Sequence, residues 1–265
     1  MPLVMNAPPV LSAPFAPVVP SLRHAFGGVW RLTFRRFLLP GRWIMVLVGL
    51  AVLTLLSFAS GHRGGGSGHY LGWVVGFYVT FLVPALAFIA AGGAMRDEMK
   101  SGTVDYVLTR PVRRPAFVVF KFISHTLCTQ IDFLLALAVV LAIGAARGVP
   151  DLAAAAPMLL LGQALLIMAA SAFGFLSGIL TSRYVVIGLL YAGVIEVGVG
   201  QIPTQLSRLS MTRQIRDLLD PAAGAAASVA ATFGTVGLLL VFTGVALAAA
   251  AALFNLRELS APNES

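Results

Sequence analysis

From residue 43 onward the chain alternates long apolar runs with short polar breaks. Six runs, near 43–60, 70–95, 117–146, 156–182, 184–202 and 232–254, carry very few charges. About 20 apolar residues, at 1.5 Å each, cross the ~30 Å of hydrocarbon in a bilayer. The pattern therefore predicts an all-α, polytopic membrane protein with six transmembrane helices. Only Thr181, Ser182 and Arg183 separate the fourth run from the fifth, which predicts a tight turn. Gly174 and Gly178, four residues apart in the fourth run, predict close helix packing within the subunit.

The residues before the first run have a different pattern. Leu22, Phe26, Val29, Trp30, Phe34 and Phe37 recur at three- and four-residue steps, with Arg23, Arg31, Arg35 and Arg36 between them. That spacing predicts an amphipathic helix over 21–42, basic on one face and aromatic on the other, lying along a membrane surface. A cytoplasmic extension of the first span is the other reading. Pro40-Gly41 predicts the break that ends it. Residues 1–20 are proline-rich and lack a positive charge, so they read as a disordered leader rather than a signal peptide. The stretch 61–68 reads as a short external linker, and Gly65-Gly66-Ser67-Gly68-His69 lacks the closing glycine of a serine-hydrolase elbow.

Composition sharpens this picture. Hydrophobic residues make up 58% of the 265 and charged ones 11%, too few charges to coat a water-facing surface. The net charge of +8 comes from basic residues clustered beside the apolar runs, as in cytoplasmic loops, and does not point to nucleic acid. With the N-terminus inside, 13 basic residues fall on the cytoplasmic side and 5 outside, which predicts that both termini are cytoplasmic. Cys128 is the only cysteine and lies in an apolar run, so it reads as a small hydrophobe.

Nucleotide binding is excluded from this chain by its lysines. A P-loop needs two glycines placed before Lys-Ser or Lys-Thr; Lys100 precedes Ser101, but Met99 and Ala94 stand where the glycines belong, and Lys121 precedes Phe122. The segment Arg96 to Lys121 between the second and third runs carries more. Asp97-Glu98 follows the span, Ser101-Gly102 breaks the helix, and Thr103 is positioned to cap a short new one. That helix presents Val104, Val107 and Leu108 on one edge before Arg110 and Pro111 end it. A short apolar edge ringed by charge suits a partner's groove.

These residues resemble the ABC-2 type transporter permeases. The matching positions are Glu98, Gly102, Thr103, Asp105, Leu108, Arg110, Pro111, Val112, Arg114 and Lys121. The resemblance implies that 96–116 holds the coupling helix by which such a permease docks on an ATPase subunit. It further implies that 21–42 is the family's elbow helix, that 43–255 is its six-helix transmembrane domain, and that 256–265 is a cytoplasmic tail. Two ATPase copies and a second permease subunit, identical or different, would complete the transporter. ATP and Mg would be bound by the ATPase, with no cofactor in this chain. A bacterial or archaeal plasma membrane, and export of the substrate, also follow from the resemblance.

Charge inside hydrocarbon is costly and marks candidate sites. Asp132 falls near the middle of the third run, with His125 about two turns earlier, and Glu196 falls in the fifth, with Gln201 near its external end. Each carboxylate either lines a pathway at the subunit interface or is packing glue satisfied by a neighbouring helix. The external segment 203–231 is amphipathic over Arg213 to Asp220, where Arg213–Asp217 and Arg216–Asp220 are i, i+4 charge pairs. By resemblance it dips back into the membrane. Its arginines either attract an anionic headgroup or anchor at the interface. An ion-coupled secondary transporter and a membrane scaffold subunit remain the alternatives to an ATP-driven permease.

Overall fold

The computed structural model describes residues 22–60, 67–99, 114–198, 200, 210–219 and 229–256. Those residues are helical apart from short turns, with no strand among them. Helix α1 (Leu22–Phe37) precedes α2 (Pro40–Ser60). A single long rod follows, made of α3 (Ser67–Trp73), a π-helical segment π1 (Val74–Leu82) and α4 (Val83–Glu98). Then come α5 (Arg114–Ala146), α6 (Leu152–Leu180), α7 (Tyr184–Tyr191) with a second π segment π2 (Ala192–Gly198), α8 (Met211–Leu219) and α9 (Val229–Leu256).

Five of these rods are long and apolar enough to cross a membrane: Pro40–Ser60, Gly68–Glu98, Arg114–Ala146, Leu152–Leu180 and Thr232–Leu256. The expected fifth span, 184–202, is described only in part. Its described helix covers 15 residues, Tyr184–Gly198, which at 1.5 Å each rise about 22 Å. Gly193, Gly198 and Gly200 weaken the helix as it leaves Tyr191, and Glu196 demands partners that lipid cannot provide.

Local breaks fall where backbone chemistry puts them. Helix α1 stops at Phe37 and Pro40 opens α2, a position where its missing N–H costs nothing. So 40–42, expected in the amphipathic segment, belongs to the first spanning helix. Gly148 ends α5 in the left-handed region (φ 66°), and Val149 N–H donates to Gly144 O at 3.0 Å. Thr181–Arg183 makes the expected turn, its hydroxyl accepting from Arg183 N–H at 3.1 Å. The π1 segment ends against Pro84, whose ring would clash with the Thr80 carbonyl in a regular α-turn. A wider turn relieves that clash, and Val83 N–H reaches back five residues to Tyr78 O.

Helix α6 is the centre of the subunit, packed by α4, α5, α8 and α9. Its contact with α4 is backbone to backbone. A Cβ on Gly174 would stand 2.6 Å from Phe88 O, and one on Gly178 would stand 2.6 Å from Gly92 O. The glycine pair therefore serves packing within the subunit, as the spacing predicts. Two apolar clusters fill the rest. One gathers Tyr78, Val83, Leu137, Leu166, Ile215 and Leu239; the other gathers Met95, Phe117, Phe122, Phe175, Ile179 and Phe254 towards the Glu98 end. Cys128 is buried, as expected of a small hydrophobe. Helix α2 leaves Met45, Leu47, Val48, Leu55 and Phe58 exposed on its outer face.

Candidate functional site

Among the described residues, three centres built on carboxylates organise the polar chemistry of the bundle. The first lies where α4 ends. Glu98 Oε1 accepts from Lys121 Nζ of α5 at 2.9 Å and from Arg36 Nη1 of α1 at 2.9 Å. Glu98 and Lys121 side chains are 1% and 3% exposed, while Arg36 is 48% exposed. One carboxylate thus joins three elements, two cations sharing one oxygen. Oε2 is buried without a hydrogen-bond partner among the described residues. Glu98, placed by resemblance among the ATPase-coupling residues, turns its side chain inward. Arg114 is the first residue of α5. At the two ends of the expected segment 96–116, α4 runs to Glu98 and α5 is described from Arg114. Gly102, Thr103, Val104, Asp105, Val107, Leu108, Arg110 and Pro111 lie outside the described residues, as does Gln201.

Above that junction, α1 leans on α5 by its aromatic stripe. Phe26, Trp30, Phe34 and Phe37 contact one another in sequence along α1, and Phe26 meets Phe120 edge-on at 5.4 Å. The second centre joins α2 to α5: Arg42 Nη2 donates to Asp132 Oδ2, and the same guanidinium lies 4.3 Å over the Phe37 ring. Arg42 is in the first turn of α2, so Asp132 stands level with the start of that span although it is midway along α5. The partner is a helix neighbour, one of the two readings its sequence position allows. His125 faces Thr129 at 3.4 Å.

The third centre holds α8 in place. Glu196, in π2, accepts hydrogen bonds from Ser210 Oγ, Met211 N–H, Thr212 N–H and Thr212 Oγ. A carboxylate here answers the unpaired amides and positive dipole end of the α8 N-terminus. Ser210 is the N-cap of that helix, its hydroxyl accepting from Arg213 N–H at 3.1 Å. Arg213 in turn donates to Gly200 O and pairs with Asp217 at 3.8 Å, the predicted i, i+4 contact. Asp220, the predicted partner of Arg216, is outside the described residues. The apolar edge of α8 turns inward: Ile215 is fully buried, its Cγ2 3.1 Å from where a Gly162 Cβ would sit. Gly162 is about 15 Å along α6 from Leu152, at 1.5 Å per residue, so α8 penetrates the bundle well below its end.

Beside α8 a cavity of about 580 Å³ opens between π1, α4, α6 and α7. Phe77, Phe81, Phe88 and Phe173 give it aromatic walls, and Tyr191 stands between them and the polar end formed by Glu196, Thr212 and Arg216. Both π segments border it. Such segments are rare and tend to occur at functional sites. Asp132 is not among its lining residues, so the two intramembrane carboxylates do not share one site.

A family model described as ABC-2 family transporter protein matches residues 39–202, well over half of the chain. The chain belongs to the ABC-2 transporter family. No curated protein matches it. As an ABC-2 family protein it is an integral membrane component of a transporter. The match begins at the foot of α2 and runs through Glu98, Lys121, Asp132 and Glu196, so all three ionic centres fall within the family region on at least one side.

Several of these residues were legible only in part. Lys121 was matched to the family pattern without its carboxylate partner, and Arg36 and Arg42 read only as basic flanks. Ser210 and Thr212, just before an amphipathic run, carry a helix N-terminus signature that marks where an acid would be useful.

Proposed function

We propose that this ABC-2 protein is the permease subunit of an ATP-driven exporter whose ATPase is a separate chain. In this reading two permeases, identical or different, work with two ATPase subunits that bind ATP and Mg. Helix α1 is the elbow, lying at the cytoplasmic face. The chain crosses six times: Tyr184–Gly198 and the residues after it complete the fifth crossing, and α8 dips back from the far side. Both termini are then cytoplasmic in a bacterial or archaeal plasma membrane, consistent with the excess of basic residues assigned to that side.

The observation that carries the proposal is the family match, which spans the Arg96–Lys121 segment. The buried Glu98 junction adds a physical reason for that segment to matter. The segment leaves α4 and enters α5 beside a carboxylate bonded to both α5 and α1, so a load applied there reaches three elements at once. The coupling contact itself is assigned to the apolar edge Val104, Val107 and Leu108, and Glu98 becomes the fixed base of that lever.

The test is Val107→Asp, which places a charge on the docking edge. Copurification with the ATPase and stimulation of its activity fall at least tenfold, while the variant permease stays monodisperse. Undiminished copurification with normal stimulation refutes the docking assignment. Labelling of 100–113 from outside the cell refutes the orientation.

A further inference from the structure

We propose that the cavity beside α8 binds an amphipathic molecule with an anionic carboxylate or phosphate head, held by Arg216, and an aliphatic tail along Phe77, Phe81, Phe88 and Phe173. That this molecule is the cargo rests on the permease reading above; that it binds does not.

The shape comes first. A volume of about 580 Å³ is in the range of small-molecule sites, which are mostly apolar with a few placed polar groups that set orientation. Here the charged groups collect at one end. Glu196, Thr212 and Arg216 stand there, Thr80 spends its hydroxyl on Gly76 O of its own helix at 2.8 Å, and the walls towards Phe88 are aromatic and aliphatic. A ligand uniformly apolar would waste that end, and one uniformly polar would be stranded among phenylalanines.

The sign of the head follows from what is already spent. Two charged residues line the cavity, Glu196 and Arg216. Glu196 has at least four donors on its carboxylate, and its charge is directed at the α8 N-terminus. Thr212 gives its hydroxyl to the same carboxylate. Arg216 makes no hydrogen bond or ion pair with a described residue, and its neighbour Asp217 is taken by Arg213. Among the described residues the charge left without a partner at that end is therefore a guanidinium, whose planar donors match carboxylate and phosphate. The π1 segment carries Phe77 and Phe81, so a π-to-α change there would reshape the tail slot.

Photolabelling with a diazirine-bearing palmitate tests this on the purified full-length protein in nanodiscs of zwitterionic lipid. Adducts mapped by mass spectrometry concentrate on π1 and on α6 around Phe173. Unlabelled palmitate and hexadecyl phosphate compete, and hexadecylamine and hexadecanol do not. Arg216→Gln lowers labelling about tenfold, the loss of one charge-assisted contact, and Arg216→Lys restores most of it. Ala85→Trp, which fills the slot without touching the head site, abolishes it. Nanodiscs containing phosphatidylglycerol separate the sources: if that lipid displaces the probe, the ligand is a bilayer lipid, and if only free acids do, it is a soluble amphiphile. Adducts spread equally over the outer face of α2, equal competition by hexadecylamine, or labelling unchanged in Arg216→Gln overturns the proposal. So does crosslinking of two copies through this cavity with no adduct in it. Binding without ATP-driven movement in vesicles holding the ATPase refutes the permease reading alone. Movement of another cargo with the slot unlabelled refutes the ligand assignment alone.

Discussion

Replacing Glu98 with glutamine keeps the shape of the side chain and removes the charge that Lys121 and Arg36 share. The two cations do not suffer equally. Lys121 is 3% exposed and has given up its water, so deleting its partner strands a buried ammonium at a cost of about 3–5 kcal/mol. Arg36 is 48% exposed and still hydrated, and its loss falls in the range of about 0–1 kcal/mol typical of surface pairs. Glu98→Gln is therefore expected to cost about 3–5 kcal/mol, and Arg36→Gln no more than about 1 kcal/mol. Combining Glu98→Gln with Lys121→Met removes both buried charges, and most of the loss returns. Unfolding in mixed micelles by graded addition of sodium dodecyl sulfate, with each single and double variant, measures the cycle. Equal losses at Arg36 and Glu98, or no recovery in the double variant, would show that the charges are hydrated and the junction is not a buried anchor.

Three further substitutions, one of them a control, probe the other contacts. Gly178→Ala drives a methyl into the Gly92 carbonyl, 2.6 Å from the ideal Cβ, and is expected to destabilise by about 1–3 kcal/mol; Gly49→Ala, with nothing within 4 Å, is expected to be neutral or to stabilise by up to about 1 kcal/mol, and equal effects in the same titration refute the backbone contact. Glu196→Gln leaves an amide nitrogen facing the α8 N–H donors, so hydrogen exchange of Met211 to Ile215 is expected to accelerate at least tenfold; unchanged protection there would mean that Glu196 does not anchor α8.

The rods of this fold were legible because apolar length is a local property. The 33 residues of Arg114–Ala146 and the turn at Thr181–Arg183 follow from hydropathy and a few breakers. The fifth helix was less legible, because hydropathy counts Gly193 and Gly198 as passengers, whereas a helix loses entropy at each. The ionic centres were hidden for a different reason. Glu98 meets a residue 62 positions away and Asp132 one 90 positions away, and no spacing rule reaches that far. Glu196 was closer to legible. Its donors lie 14–16 residues on, and the sequence Ser210-Met211-Thr212 ahead of an amphipathic run announces amides in need of an acceptor.

The contact between α4 and α6 decides how the ends of the subunit are related. Side-chain interfaces slide by changing rotamers, but Gly174 against Phe88 O and Gly178 against Gly92 O leave no side-chain layer to deform. Over that turn of each helix the two are one body, and α4 carries Glu98 at one end and joins π1 at the other. Helix α8 packs on both π1 and α6, and its N-terminus is tied to π2 by Glu196. The nine-residue π1 is where α8 meets the rod that carries Glu98, so a shift of the Glu98 end relative to α8 along that rod falls on it. A π turn holds its backbone hydrogen bonds in a wider ring than an α turn does, so it can be given up for α geometry without leaving a donor unpaired. The cavity wall formed by Phe77 and Phe81 is on that segment, which places the yielding part of the rod and the aromatic slot at the same residues.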